Sequence, residues 1–234
     1  MPEVPGVIRV GHKGADHVAP GNTAASFEAA LEHGVDMIEF DVLRTRDGRL
    51  VLAHDYADSE RRECLTLEQG LELFAGEAFA GVELDVDLKL PGYEQEVVEG
   101  LARHGLTERS LVSTMYPDSL DRLGELDPAL RRGWSVPRVQ RNYLKAPLYI
   151  RLPALALAAW MRLRMPSMAA ARIRAGGCEA IMSHQVLVSA RLVRAVHEAG
   201  GQLYVWTVDE APKIRALEAL GVDGVITNDP RLFD

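Results

Sequence analysis

A small set of polar residues set into apolar, strand-like segments carries the chemistry of this sequence. They fall in Gly11-His12-Lys13-Gly14, Glu39-Phe40-Asp41, His54-Asp55 and Asp85-Val86-Asp87-Leu88-Lys89. Side chains two apart on a strand share a face, so Glu39 and Asp41 form one acidic pair while Ile38, Phe40 and Val42 point the other way. Together, Glu39, Asp41 and Asp87 supply an all-oxygen site for a hard divalent cation, Mg²⁺ or Ca²⁺, with Mn²⁺ also suited. The alternative for Val82–Leu90 is a solvated face of an antiparallel strand. Around Glu39 and Asp41 the apolar neighbours Met37, Ile38, Val42 and Leu43 argue instead for burial on both faces. Buried like charges are costly unless a cation neutralises them. His12 and His54 are the candidate general base and acid, because imidazole takes and gives protons near neutral pH; Asp55 can orient the His54 ring. Lys89 either meets a phosphate oxygen or forms a salt bridge to Asp87 or Asp85. The remaining histidines, His17, His33, His104, His184 and His197, are read as structural or exposed.

These residues need elements that bring them together. Strand-like runs at 7–12, 37–43, 82–88, 110–114, 133–136, 179–183, 202–207 and 224–227 alternate with helical patterns at 22–32, 67–75, 94–103, 118–125, 153–174, 190–198 and 211–220. Asn22 and Thr66 are the expected N-caps, and Gly34, Gly105, Gly200 and Gly221 sit where helices should stop. Alternation of this kind predicts a parallel sheet, and at this length a (β/α)8 TIM barrel forming one domain over residues 1–234; a doubly wound open sheet is the structural alternative. In a barrel, functional residues lie at the C-terminal ends of strands and in the loops that follow. His12, Glu39, Asp41, Asp87, Lys89 and Trp206 all meet that rule, and His54 follows a short turn-and-return after the second strand.

Composition narrows the classes further. No run reaches the roughly 18 apolar residues of a membrane span. The first residues, Met1-Pro2-Glu3-Val4-Pro5, lack a signal-peptide pattern, which predicts a cytoplasmic protein with Cys64 and Cys178 as free thiols. A net charge of −8 hides an asymmetry: residues 128–178 hold ten basic and no acidic side chains, leaving −18 on the rest. An acidic body with one basic segment predicts a local anionic partner and no nucleic acid. Lysine is scarce, at four against 22 arginines, yet Lys13 and Lys89 fall inside the motifs above.

In order and spacing, the motifs resemble the glycerophosphodiester phosphodiesterase family. The likeness runs through Gly11-His12-Lys13-Gly14-Ala15, Ala19-Pro20-Gly21-Asn22-Thr23, Asp36-Met37-Ile38-Glu39-Phe40-Asp41-Val42, Thr45-Arg46-Asp47-Gly48, Val51-Leu52-Ala53-His54-Asp55, Asp87-Leu88-Lys89, Val205-Trp206-Thr207-Val208 and Gly221-Val222-Asp223-Gly224-Val225-Ile226-Thr227. It implies a (β/α)8 barrel that hydrolyses glycerophosphodiesters to glycerol 3-phosphate and an alcohol with a divalent metal. It also implies that Glu39, Asp41 and Asp87 are the metal ligands and His12 and His54 the acid–base pair. Lys13 and Lys89 would then be phosphate contacts and Trp206 a wall of the pocket. Three positions depart from the family pattern: Lys13 stands for an arginine, Gly21 for a glutamate, and Asp87 for a glutamate one methylene longer. Two other functions fit the same residues: a phospholipase D-like lyase that releases a cyclic phosphate from lysophospholipids, and a non-enzymatic lipid- or phosphate-binding module.

Residues 143–174 fit the family pattern least. Apolar residues including Leu157, Trp160, Met161, Leu163 and Met165 are interleaved with Arg151, Arg162 and Arg164. Pro153 can start a helix and Pro166 can end one, making a basic, apolar helical insert too short to span a bilayer. The insert is expected either to rest peripherally on an anionic membrane and admit a lysophospholipid-like diester, or to pack on the barrel with its arginines in solvent.

Overall fold

The structure is a computed structural model describing residues 6–138 and 148–233, with the side chains of its longest helix described from residue 157 onward. The strands are β1 (Ile8–Gly11), β2 (Met37–Arg44), β3 (Leu50–Leu52), β4 (Glu83–Leu88), β5 (Ser110–Thr114), β6 (Arg131–Val136), β7 (Ala180–His184), β8 (Gln202–Trp206) and β9 (Gly224–Thr227). The helices are α1 (Ala24–Glu32), α2 (Tyr56–Arg61), α3 (Leu67–Ala75), α4 (Glu94–Arg103), α5 (Pro117–Leu126), α6 (Leu148–Arg174), α7 (Ala190–Glu198) and α8 (Ala211–Leu220). Every strand except β3 is parallel to its neighbours, and β1 pairs with both β2 and β9, which closes the ring. The fold is a (β/α)8 barrel; the open-sheet alternative has two edges and is excluded by that closure. β3 is the antiparallel return after β2 and carries the chain toward His54.

Strand alternation sorts side chains into two environments. Ile38, Phe40 and Val42 of β2 and Leu84, Val86 and Leu88 of β4 face outward into a continuous apolar layer under the helices. The rings of Phe27, Phe40, Phe74 and Phe79 meet there, with centroids 4.8–6.2 Å apart. Inward-facing Val10, Met37, Leu111, Met182, Tyr204 and Ile226 fill the lower barrel. Gly224 makes room for one of them, since a Cβ there would lie 2.3 Å from the Tyr204 ring. Above this plug the inward positions turn polar.

Several expectations meet local corrections. Asn22 does not cap α1. Thr23 does, in a capping box with Ser26, because the Asn22 side chain is taken up by Asp41 and its backbone is left-handed at φ 58°. Thr66 caps α3 as expected, and Gly34, Gly105, Gly200 and Gly221 follow their helices at positive φ. Helix α2, which the sequence did not announce, follows directly on His54-Asp55, with Asp55 as its N-cap. Pro153 does not start α6 and Pro166 does not end it: the helix runs from Leu148 to Arg174, 27 residues, so length is not what keeps it from spanning a bilayer. A proline removes one helical hydrogen bond, the one its N–H would give to the Arg162 carbonyl, and the buried packing of Met165, Ala169 and Ile173 holds the helix through it. Residues 143–147 of the insert lie outside the described residues. Among the described residues no helix is long and apolar enough to cross a membrane.

The aromatic layer predicts its own energetics. Phe74 is fully buried and touches the rings of Phe27, Phe40 and Phe79. Phe74→Ala should lower the unfolding free energy by about 3–5 kcal/mol in a urea titration; a loss below about 1 kcal/mol would mean this layer does not hold helices to barrel.

Candidate active site

The first loop is built to aim two groups. Past β1 the His12 N–H donates to the Thr227 carbonyl of β9 (2.8 Å) and the Gly14 N–H to the Glu39 carbonyl of β2 (3.2 Å). Between them Lys13 takes a left-handed backbone, φ 52°, which a non-glycine residue adopts only at a cost. The conformation points its N–H at Glu39 Oε2, 2.7 Å away. Asn22, the other left-handed residue, brackets Asp41: its Nδ2 donates to Asp41 Oδ2 (2.8 Å) and its Oδ1 accepts from the Asp41 N–H (3.0 Å).

Register then gathers the acids. Glu39 lies beside Asp85 and Asp41 beside Asp87 across the β2–β4 pair. Oxygens of Glu39, Asp41 and Asp87 lie within 4.8 Å of one another, and all three residues are buried. Lys89 Nζ sits among them, 2.5 Å from Asp41 Oδ1 and 2.6 Å from Asp87 Oδ2. One ammonium does not balance four buried carboxyl groups. Burial and the neighbouring Asp41 charge push the Glu39 carboxyl well above its ordinary range, and burial with Asp41 raises Asp87 despite Lys89. Asp41 goes the other way: burial alone would raise it, but Lys89, His54 and His12 hold it low. Burial would likewise lower Lys89, yet Asp41, Asp87 and Glu39 keep it firmly charged. Asp85, a layer deeper, is raised to about 8 by burial and by Asp87. Buried oxygens Asp85 Oδ1 and Asp87 Oδ1 have no hydrogen-bond partner. Clustered carboxylates with an unpartnered oxygen fit a hard divalent cation, whose charge would relieve the crowding.

Two imidazoles face this cluster from different depths. His12 is half-buried among charges, and desolvation together with Lys13 lowers it to about 4, so its ring is neutral near pH 7. A chain of hydrogen bonds fixes its tautomer. Asp209 can only accept, so Asn228 gives it the Nδ2–H (2.8 Å) and turns Oδ1 toward His12 Nδ1, 2.5 Å away. Nδ1 must therefore carry the proton, leaving the Nε2 lone pair toward Glu39, 3.9 Å off. Asp209 is itself anchored by the Asn228 N–H (2.8 Å) and the Thr227 hydroxyl (3.0 Å). His54 stands at the rim with its side chain half exposed, Nδ1 3.3 Å from Asp55.

These groups surround a cavity of about 170 Å³ whose wall includes His12, Glu39, His54, Asp85, Asp87, Lys89 and Trp206, with Ser113, Ser135 and Met182 among its other residues. Trp206 is held by its Nε1–H to the Met182 carbonyl (2.8 Å) and by edge contact with His184. Asp41 lies behind the wall, fully buried. Lys13 turns its ammonium to Asp16 (2.6 Å), near enough to Asp41 and Glu39 to feel their charge. The residues whose part in the site was overlooked at the level of sequence are Asn22, read only as an N-cap, and Asp209 and Asn228. Asn228 directly follows a barrel strand, which is the one signal that marks it; Asp209 gains its place only through the contact of two loops.

Fold and site together define a (β/α)8-barrel hydrolase of phosphate esters. The profile of the glycerophosphoryl diester phosphodiesterase family matches residues 12–69 and 77–232. A glycerophosphodiester phosphodiesterase of Caldanaerobacter subterraneus is 26% identical over 257 residues, covering 94% of this chain and 93% of its own length. A similar enzyme of Bacillus altitudinis is 25% identical, over 94% of this chain and 93% of its own. Among solved structures, a glycerophosphodiester phosphodiesterase from Parabacteroides distasonis superposes with a TM-score of 0.73 at 19% identity, over 95% of this chain and 93% of that one. An Oleispira antarctica phosphodiesterase, solved with its product sn-glycerol-3-phosphate, gives 0.68 at 22%, over 97% and 94%. The chain belongs to the glycerophosphoryl diester phosphodiesterase family.

The relay to His12 can be tested without turnover. Nitrogen NMR at neutral pH should show His12 as the Nδ1–H tautomer, and Asn228→Ala should let the Nε2–H form appear. A wild-type ring protonated at Nε2 would contradict the relay.

Proposed function

We propose that this enzyme hydrolyses glycerophosphodiesters to glycerol 3-phosphate and an alcohol, with a divalent ion held by Glu39, Asp41 and Asp87 and protons carried by His12 and His54. The observation that supports it best is the clustering of Glu39, Asp41 and Asp87 beside a 170 Å³ cavity onto whose wall Glu39, Asp87, Lys89 and two imidazoles open. A bound divalent ion would supply positive charge to a phosphate oxygen and to a glycerol hydroxyl. The chain's own groups account for the rest. Lys89 and Lys13 bring cationic charge to the phosphate, and Trp206 forms a flat wall beside it. His12 Nε2, neutral and unprotonated, accepts the proton of the glycerol hydroxyl next to phosphorus as that oxygen bonds to it. The ester bond to the alcohol breaks, and the alcohol leaves with a proton from His54 at the open rim. Water then reopens the five-membered cyclic phosphate with the two imidazoles in exchanged roles, giving glycerol 3-phosphate. Proximity of the hydroxyl to phosphorus supplies much of the rate, since the first step is intramolecular.

The Oleispira antarctica phosphodiesterase of similar fold, solved with its product sn-glycerol-3-phosphate, supports this reading. Release at the cyclic phosphate is the reading for a lyase, and phosphorus NMR of the product separates the two. His12→Ala and His54→Ala should each lower turnover of a soluble glycerophosphodiester about 10²- to 10⁴-fold while leaving metal binding largely intact. Full activity in the His12→Ala protein would remove His12 from the mechanism. Protein stripped with EDTA should be inactive and recover on addition of Mg²⁺, Ca²⁺ or Mn²⁺; full activity without metal would contradict the carboxylate site.

A further inference from the structure

Most helices of the barrel have a length set by the strands they cover: α1, α3, α4, α5, α7 and α8 run 9 or 10 residues, about 15 Å. Helix α6 runs 27 residues, about 40 Å. Burial locates the surplus. Met165, Ala169, Ala170 and Ile173 are the buried stripe that seats α6 on the barrel. They span the length of an ordinary barrel helix, and the chain then passes to the foot of β7. Met161, one turn upstream, is still half-buried against the same core; because the helix runs antiparallel to the strands, its remaining N-terminal turns extend toward the rim where the strands end and the active site opens. There α6 also packs against the turn Gln185–Leu187 that follows β7.

The projecting length is apolar on the wrong side for folding. Leu157, Trp160 and Leu163 are 56%, 56% and 66% exposed, and Met168 nearer the barrel is 42% exposed. At about 100° per residue these side chains fall within one arc of the helix, turned away from the buried stripe. No described element covers them. Arg164 lies within the same arc, and Arg162, one turn above the barrel on the side of the buried stripe, is exposed as well. The segment 128–178 carries ten basic and no acidic side chains against −18 on the rest of the chain. Arg131, Arg132 and Arg172 are paired with Glu83, Glu179 and Asp121, so among the described residues the charge left to meet an anionic surface is carried by exposed arginines such as Arg138, Arg162 and Arg164, while the acidic remainder is repelled. A tryptophan and leucines flanked by arginines, on a helix long enough but not apolar enough to cross a bilayer, have the composition of an interfacial anchor.

We propose that the projecting end of α6 docks on anionic phospholipid membrane and turns the barrel mouth toward it, so that the enzyme acts on membrane-held glycerophosphodiesters such as lysophospholipids. The substrate class rests on the phosphodiesterase reading; the docking does not. A cavity of about 170 Å³ accommodates a phosphodiester head and no acyl chain, so the chain stays in the lipid while the head enters.

The full-length protein is sedimented with vesicles of phosphatidylglycerol and phosphatidylcholine, with vesicles of phosphatidylcholine alone, and at low and high salt. Binding should appear with the anionic vesicles, weaken with salt, and fall at least about tenfold in Trp160→Glu/Leu163→Glu. Hydrolysis of soluble glycerophosphocholine by that variant should match wild type, which also reports an intact fold, while hydrolysis of vesicle-borne lysophosphatidylcholine falls. Absence of wild-type binding to anionic vesicles, or binding untouched by the double substitution, would overturn the proposal. So would light scattering that shows a dimer split by the same substitution without vesicle binding, since a second copy would then own the patch. Vesicle binding without cleavage of any diester would leave the anchor standing and remove the phosphodiesterase reading instead.

Discussion

Four carboxyl groups and one ammonium share the upper interior of this barrel, and their arithmetic is unfavourable. Glu39, Asp41, Asp85 and Asp87 are 0–9% exposed, so water screens them little, and Lys89 answers at most two of them. Each carboxylate pulled from water costs several kcal/mol unless paired. The protein's own compensation is partial: the Lys13 N–H and Asn22 hold Glu39 and Asp41 in place, while burial and crowding still raise Glu39, Asp85 and Asp87 above the ordinary carboxyl range. A site this crowded is stable as a carboxylate cluster only with further positive charge. That constraint links the fold to the chemistry, because a cation that relieves the crowding also draws in a phosphate.

The scaffold carries the strain because its outer layer does not share it. β2 and β4 place acids on one face and Ile38, Phe40, Val42, Leu84, Val86 and Leu88 on the other, so the same strands that crowd the interior are clamped outside by packed aromatic and aliphatic side chains. The backbone at Lys13 and Asn22 is held left-handed by hydrogen bonds to Glu39 and Asp41. Loop strain and acid placement are thus parts of one arrangement. His12 completes it: burial keeps the ring neutral, and the Asp209–Asn228 chain decides which nitrogen is free.

Much of this was legible in the sequence because barrel strands write themselves in alternation. A strand buried on both faces yet carrying two acids, as Met37–Leu43 does, has few explanations besides a site. The spacing of strands and helices implied closure, and closure put every strand end at one mouth. What was not legible depends on contacts between segments far apart in the chain. Asn22 looks like an N-cap until its side chain is seen on Asp41, and Asp209 looks like a loop acid until Asn228 is found against it, 19 residues on. Pro166 misled for the opposite reason: its local cost is real, but the packing of Met165, Ala169 and Ile173 carries the helix through it.

The most direct measurement is calorimetric titration of metal-free protein with Mg²⁺, Ca²⁺ and Mn²⁺, with circular dichroism as the check on fold. One ion should bind per chain, and Glu39→Gln or Asp87→Asn should weaken it at least about tenfold. A protein that takes up no divalent ion, or holds it equally well after both substitutions, would show that the acids are not gathered for a metal.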